Sequence, residues 1–112
     1  MPAKDQIHDA LINALIKDGW TITEDPYFVK VGRRKGFIDL AADKIIAATK
    51  ENKKIAVEGK NFAGASELTE FEKALGQFNI YQVAIEEKEP DRILYLAVPE
   101  DFYRDFMEDP FF

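Results

Sequence analysis

The stretch that most constrains this chain is Ile55-Ala56-Val57-Glu58-Gly59-Lys60, three apolar residues running directly into an acid and a base one residue apart. In a strand alternate side chains share a face, so Glu58 and Lys60 point one way while Val57 points into a core. A second short β-like run, Gly36-Phe37-Ile38-Asp39-Leu40, carries an acid that comes beside Glu58 if the two runs pair. Hard divalent cations take carboxylate oxygens and keep several waters, and a nearby ammonium orients or helps deprotonate one of those waters for attack on a phosphodiester. An acid followed by acid-x-Lys is therefore a magnesium-nuclease pattern. The plain alternative is a Glu–Lys pair on a solvated strand face, in a chain that is 32% charged.

At 112 residues the chain is expected to form a single domain, 1–112, and its 46% hydrophobic content suits a globular core. It has no cysteine, which excludes disulfides and thiolate metal sites. Met1-Pro2-Ala3-Lys4-Asp5 offers no basic region followed by an apolar one, and no run approaches the ~18 apolar residues of a membrane span, so a cytoplasmic location is the expectation. The net charge of −6 argues against a nucleic-acid ligand, because phosphate neutralisation by Lys and Arg supplies most non-specific affinity. Its distribution argues the other way: from Lys30 to Lys60 nine bases face four acids, so this half carries +5 and the remainder −11. A basic face around a carboxylate site suits a phosphate ligand, and charged turns give the same count.

Read in order, Asp5 to Lys17 has apolar positions Ile7, Leu11, Ala14 and Leu15 at helical spacing, Asp5 as N-cap and Gly19 as stop. His8 and Asp9 lie near its start, His8 reading best as a structural residue. Trp20 to Thr23 and Phe28 to Val31 read as strands on either side of Asp25-Pro26. Gly32-Arg33-Arg34-Lys35-Gly36 reads as a basic turn, either a solvated loop or a phosphate contact. Between Asp39 and Glu58 a helix and a hairpin fit equally. After a loop of small residues, Leu68, Phe71, Leu75, Phe78, Gln82 and Ile85 form the stripe of a long helix, capped by Ser66, with Gln77 and Tyr81 one turn apart beside it. Ile93 to Val98 reads as a central strand, and Pro99 to Met107 as a short closing helix.

Several of these blocks together resemble a known family. His8-Asp9-Ala10, Ala14-Leu15-Ile16-Lys17-Asp18-Gly19-Trp20, Asp39-Leu40, Lys54-Ile55-Ala56-Val57-Glu58-x-Lys60, Ala74-Leu75-Gly76-Gln77-Phe78 and Leu94-Tyr95-Leu96-Ala97-Val98 are similar to the XisH family, the cyanobacterial fdxN element excision controlling factors. The resemblance covers nearly the whole chain. It implies an α/β, restriction-endonuclease-like fold with a mixed central sheet flanked by helices. It implies an accessory role in excising a DNA element, with DNA, a XisI-like protein and a site-specific recombinase as partners. The PD-(D/E)XK motif of that fold group falls on Asp39, Glu58 and Lys60, and Gln77 and Tyr81 match a Q-x-x-x-Y signature. On this reading Asp39 and Glu58 hold Mg2+ with Asp9 as an extra ligand, and Lys30, Arg33, Arg34 and Lys35 contact the phosphate backbone. The alternative is a catalytically inactive adaptor on the same fold.

The sequence departs from that pattern in four places. Ile38 stands for Pro, Gly59 for an apolar residue and Asn61 for Ser, and the chain ends sooner than the resemblance implies. Gly59 is expected to loosen the strand by roughly 0.5–1 kcal/mol, so that Gly59→Val should raise stability if the position has room and suitable backbone angles. The stretch Glu86 to Asp109 carries nine acids against three bases, and with Phe102, Tyr103, Phe106, Phe111 and Phe112 it reads as a surface for a partner or for homo-oligomer formation.

Overall fold

The computed structural model describes residues 3–62 and 67–110. The order is α1 (Ala3–Lys17), β1 (Thr21–Glu24), β2 (Tyr27–Val31), β3 (Arg34–Ile38), β4 (Leu40–Ile46), β5 (Glu51–Gly59), α2 (Glu67–Lys88), β6 (Arg92–Ala97) and α3 (Glu100–Glu108). Four strands make a mixed sheet in the order β1-β4-β5-β6, antiparallel except for β5–β6, and β2–β3 form a separate hairpin. The parallel pair is joined through α2, the crossover that a parallel connection requires. Ser66, expected to cap α2, and the aromatic pair Phe111 and Phe112 lie outside the described residues.

The main sheet buries both faces because its central strands alternate between two apolar sets. Leu40, Ala42, Ile55 and Val57 face α1, where Leu11, Ile12 and Leu15 cover them with Trp20 and Ile22. Ala41, Ala56 and Leu94 face the other way, against α2 and the hairpin residues Tyr27, Val29 and Ile38. Helix α1 ends as expected: Gly19 takes φ +91°, and the N–H of Trp20 reaches back 2.9 Å to the carbonyl of Leu15. Its start and its stripe differ from expectation. The helix begins ahead of Asp5, and Ile12 packs inward where Ala14 is exposed.

The segment that fitted two assignments is a hairpin. β4 and β5 pair from Leu40↔Val57 to Ile46↔Glu51, closed by a turn over 47–50 in which Lys50 has φ 58° and donates 2.7 Å to the carbonyl of Ile46. The expected basic turn is shorter than its composition suggested: only residues 32 and 33 turn, and Arg34, Lys35 and Gly36 are already strand. Helix α2 is rotated from the expected stripe. Phe71, Ala74, Phe78, Tyr81, Ala84 and Ile85 face inward, leaving Leu68 and Leu75 at 61% and 45% exposure. Helix α3 supplies the largest correction, because Phe102 and Phe106 are covered by Phe62, Phe71 and Ala74, with the Phe62–Phe102 ring centroids 4.3 Å apart. Only Tyr103 of α3's aromatic residues is exposed.

A buried cation locks the far end of the sheet. Arg92 donates to Asp43, to Glu89 and to the carbonyls of Ala42 and Ile55, while Tyr27 donates 2.7 Å to Glu89. Burial opposes the charge on Arg92, yet its hydrogen bonds to Glu89 and Asp43 outweigh that and hold its pKa above the ordinary value. Burial and the Glu89 hydrogen bond push Tyr27 upward as well, so it stays a neutral donor.

Candidate functional site

The antiparallel register Leu40↔Val57 fixes the site, because extending it by one residue sets Asp39 opposite Glu58. Asp39 lies at the joint where the chain leaves the β2–β3 hairpin and enters the main sheet. Backbone N–H groups hold both acids across that joint. The N–H of Asp39 donates 3.0 Å to Glu58 Oε1, and the N–H of Gly59 donates 2.8 Å to Asp39 Oδ2. Glu58 shares a face with Ala56 and is only 8% exposed. Lys60, next on that face, holds its Nζ 3.7 Å from Glu58 Oε2, and its N–H bonds the carbonyl of Ala97, which ties it to β6.

The surroundings of Glu58 oppose its ionisation. Burial, then the neighbouring charge of Asp39, raises its pKa to about 7, and the charge of Lys60 only partly offsets them. A carboxylate pair short of positive charge is chemically disposed to accept a cation. One oxygen of each acid is committed to a backbone N–H, which fixes both carboxylates from the strand. Mg2+ is commonly held by one or two carboxylates while keeping most of its waters, so this donor pair fits it. Asp9 does not join them: it is exposed on α1, and no group of three or more His, Cys, Asp or Glu among the described residues is placed to hold a metal.

The acids open into a cleft of about 460 Å³ lined also by His8, Asp25, Pro26, Phe37, Ile38, Lys60 and Gln77. His8, read from sequence as structural, stands in the cleft wall with its Nε2 2.8 Å from Asp25 Oδ2. The signal for it was weak, a lone His on the first turns of a helix and an acid before a proline. Gln77 lines the cleft and donates 3.4 Å to the Tyr81 hydroxyl. The Tyr81 ring is packed over Gly36, where an added Cβ would sit 2.9 Å from Tyr81 Cε1, so Tyr81 supports Gln77 from within the core. Lys60 and Gln77 also line an adjoining hollow with Lys73, a cation that the sequence reading did not single out.

Gly59 proves to be a contact point for α1. A Cβ there would lie 3.2 Å from Ile7 Cγ2 and 3.4 Å from Asp39 Oδ2, so the absent side chain lets α1 and the Asp39 carboxylate sit close to the strand. The expected surplus of freedom at this position is absorbed by its N–H bond to Asp39. The basic half of the chain also divides. Lys44 pairs with Asp18, and Lys54 with Glu89, away from the carboxylates, while Lys30, Arg33, Arg34 and Lys35 remain exposed on the hairpin.

A mixed α/β domain carrying a carboxylate–lysine cluster where a hairpin joins its main sheet is the class these elements define. The family model described as XisH protein matches residues 1–112, and the chain belongs to the XisH family. It is similar to the crystal structure of an XisH family protein from Nostoc punctiforme PCC 73102, with 42% identity, a TM-score of 0.81, and coverage of 94% of this chain and 77% of that one. It is equally similar to a fdxN element excision controlling factor protein from Anabaena variabilis, with 43% identity, a TM-score of 0.81, and coverage of 93% and 76%. No curated protein matches the chain. No helix among the described residues is long and apolar enough to cross a membrane.

Proposed function

We propose that this chain is a restriction-endonuclease-like PD-(D/E)XK protein whose Asp39–Glu58–Lys60 cluster is a Mg2+-dependent phosphodiesterase centre serving the excision of a DNA element. One observation carries the reading: two carboxylates, Glu58 held by the N–H of Asp39 and Asp39 by the N–H of Gly59, with the pKa of Glu58 raised to about 7, beside a lysine in an open cleft. Asp39 and Glu58 would hold the ion, and a bound Mg2+ would supply Lewis acidity and a more acidic water. Lys60 sets a positive charge beside Glu58, where it meets the negative charge that grows on a phosphoryl oxygen during attack. Gln77, steadied by Tyr81, presents an amide to the same cleft. His8, oriented by Asp25, presents an imidazole in the cleft wall. Lys30, Arg33, Arg34 and Lys35 hold the phosphate backbone at the hairpin.

The adaptor reading has its own observation. The outer side of α2 exposes Leu68, Leu75, Ile80 and Val83, an apolar surface suited to a protein partner of the XisI kind. Nicking of supercoiled plasmid separates the two. The nuclease reading expects cleavage in Mg2+ that stops in chelator and falls at least a hundredfold in Glu58→Gln and Lys60→Met. Wild type that leaves plasmid intact while still binding DNA would sustain the adaptor instead.

A further inference from the structure

The β2–β3 hairpin has two faces with opposite compositions. Its inner face, Tyr27, Val29, Gly36 and Ile38, is buried against α2 and the sheet. Its outer face is built from two directly opposed pairs, Phe28↔Phe37 and Lys30↔Lys35. Phe37 is 52% exposed and tilts against Phe28 with centroids 5.9 Å apart. Lys35 and Lys88 hold their ammonium groups 5.6 and 5.4 Å from the Phe28 ring. Like charges directly opposite on a sheet destabilise it, and among the described residues neither Lys30 nor Lys35 forms an ion pair. An exposed ring beside unneutralised lysines is the combination that binds unpaired nucleotides, the ring taking a base face and the ammonium groups the phosphates.

We infer that this outer face is a stacking platform for single-stranded DNA, with Phe37 taking an unpaired base at the entrance to the carboxylate cleft. Phe37 itself lines that cleft, and Asp39 follows it two residues on, about 7 Å along an extended chain. A base seated on Phe37 therefore directs its neighbouring phosphate toward Asp39 and Glu58. Duplex DNA hides its base faces by stacking, so the platform favours frayed, flapped or single-stranded segments. This inference rests on the nucleic-acid reading above and assigns its substrate class.

The test is fluorescence anisotropy with a labelled oligothymidylate and with a duplex of equal length, both in chelator so that cleavage plays no part. Wild type is expected to prefer the single strand. Phe37→Ala should weaken single-strand binding about tenfold or more and leave duplex binding unchanged. Phe37→Leu, which keeps the apolar bulk and guards against a folding artefact, should show the same selective loss, and Phe37→Trp should restore binding. Unchanged single-strand affinity in Phe37→Ala and Phe37→Leu, or an equal loss on duplex, overturns the platform. So does self-association that disappears with these variants, since it assigns the face to a second copy. Phe37-dependent binding with no plasmid nicking would retain the platform and remove the nuclease; nicking without Phe37-dependent binding would do the reverse.

Discussion

Glu58 makes the stability of the chain depend on pH in a direction that can be worked out. Unfolded, it titrates near 4.5, and folded near 7, so between those values the native state keeps a proton that the unfolded state has lost. The stability from protonated Glu58 is complete below 4.5 and lost as pH rises through 7, a contribution of up to about 3 kcal/mol. Urea midpoints in chelator should fall for wild type across that window and stay flat for Glu58→Gln. Gly59 reverses the expectation drawn from composition. Because even a Cβ meets Ile7 at 3.2 Å, Gly59→Val should lower stability by about 1–3 kcal/mol through overpacking, measured by the same denaturation. At the other end of the sheet, Arg92→Met removes the cation that pairs with Asp43 and Glu89, and should cost about 3–5 kcal/mol.

Among the elements, those governed by local rules could be read from the residues and those governed by packing could not. The stop at Gly19 and the alternation of Val57, Glu58 and Lys60 need only backbone geometry, and both are as expected. The β4–β5 hairpin was ambiguous because Ala42, Ile45 and Ile46 satisfy either period, and its turn uses a lysine at positive φ in place of glycine. The rotation of α2 was hidden by apolar residues on two sides of the helix, Leu68 and Leu75 continuing a seven-residue repeat yet remaining exposed among the described residues. The aromatic run of α3 looked like an interface because its covering residues, Phe62 and Phe71, lie far away in sequence. Phe102→Ala should therefore destabilise the fold by about 3–5 kcal/mol, seen as a lower melting temperature, where Tyr103→Ala on the exposed side should be nearly neutral.

For the whole molecule, net charge hides the arrangement that matters. Lys44 and Lys54 are paired within the fold, while the four exposed hairpin bases lie on the element whose Phe37 lines the cleft. Arg33→Glu with Arg34→Glu should weaken binding to every DNA sequence and flatten its salt dependence without moving the melting temperature, since both side chains are exposed. On the proposed function, Asp39 and Glu58 form a cation-holding centre whose affinity Glu58 governs. Calorimetric titration with Mg2+ on either side of neutral pH tests it most directly. A single ion should bind more tightly at the higher pH, with proton release on binding near neutrality, and the binding heat should be lost in Asp39→Asn and Glu58→Gln. Affinity that ignores pH and survives both substitutions would contradict it.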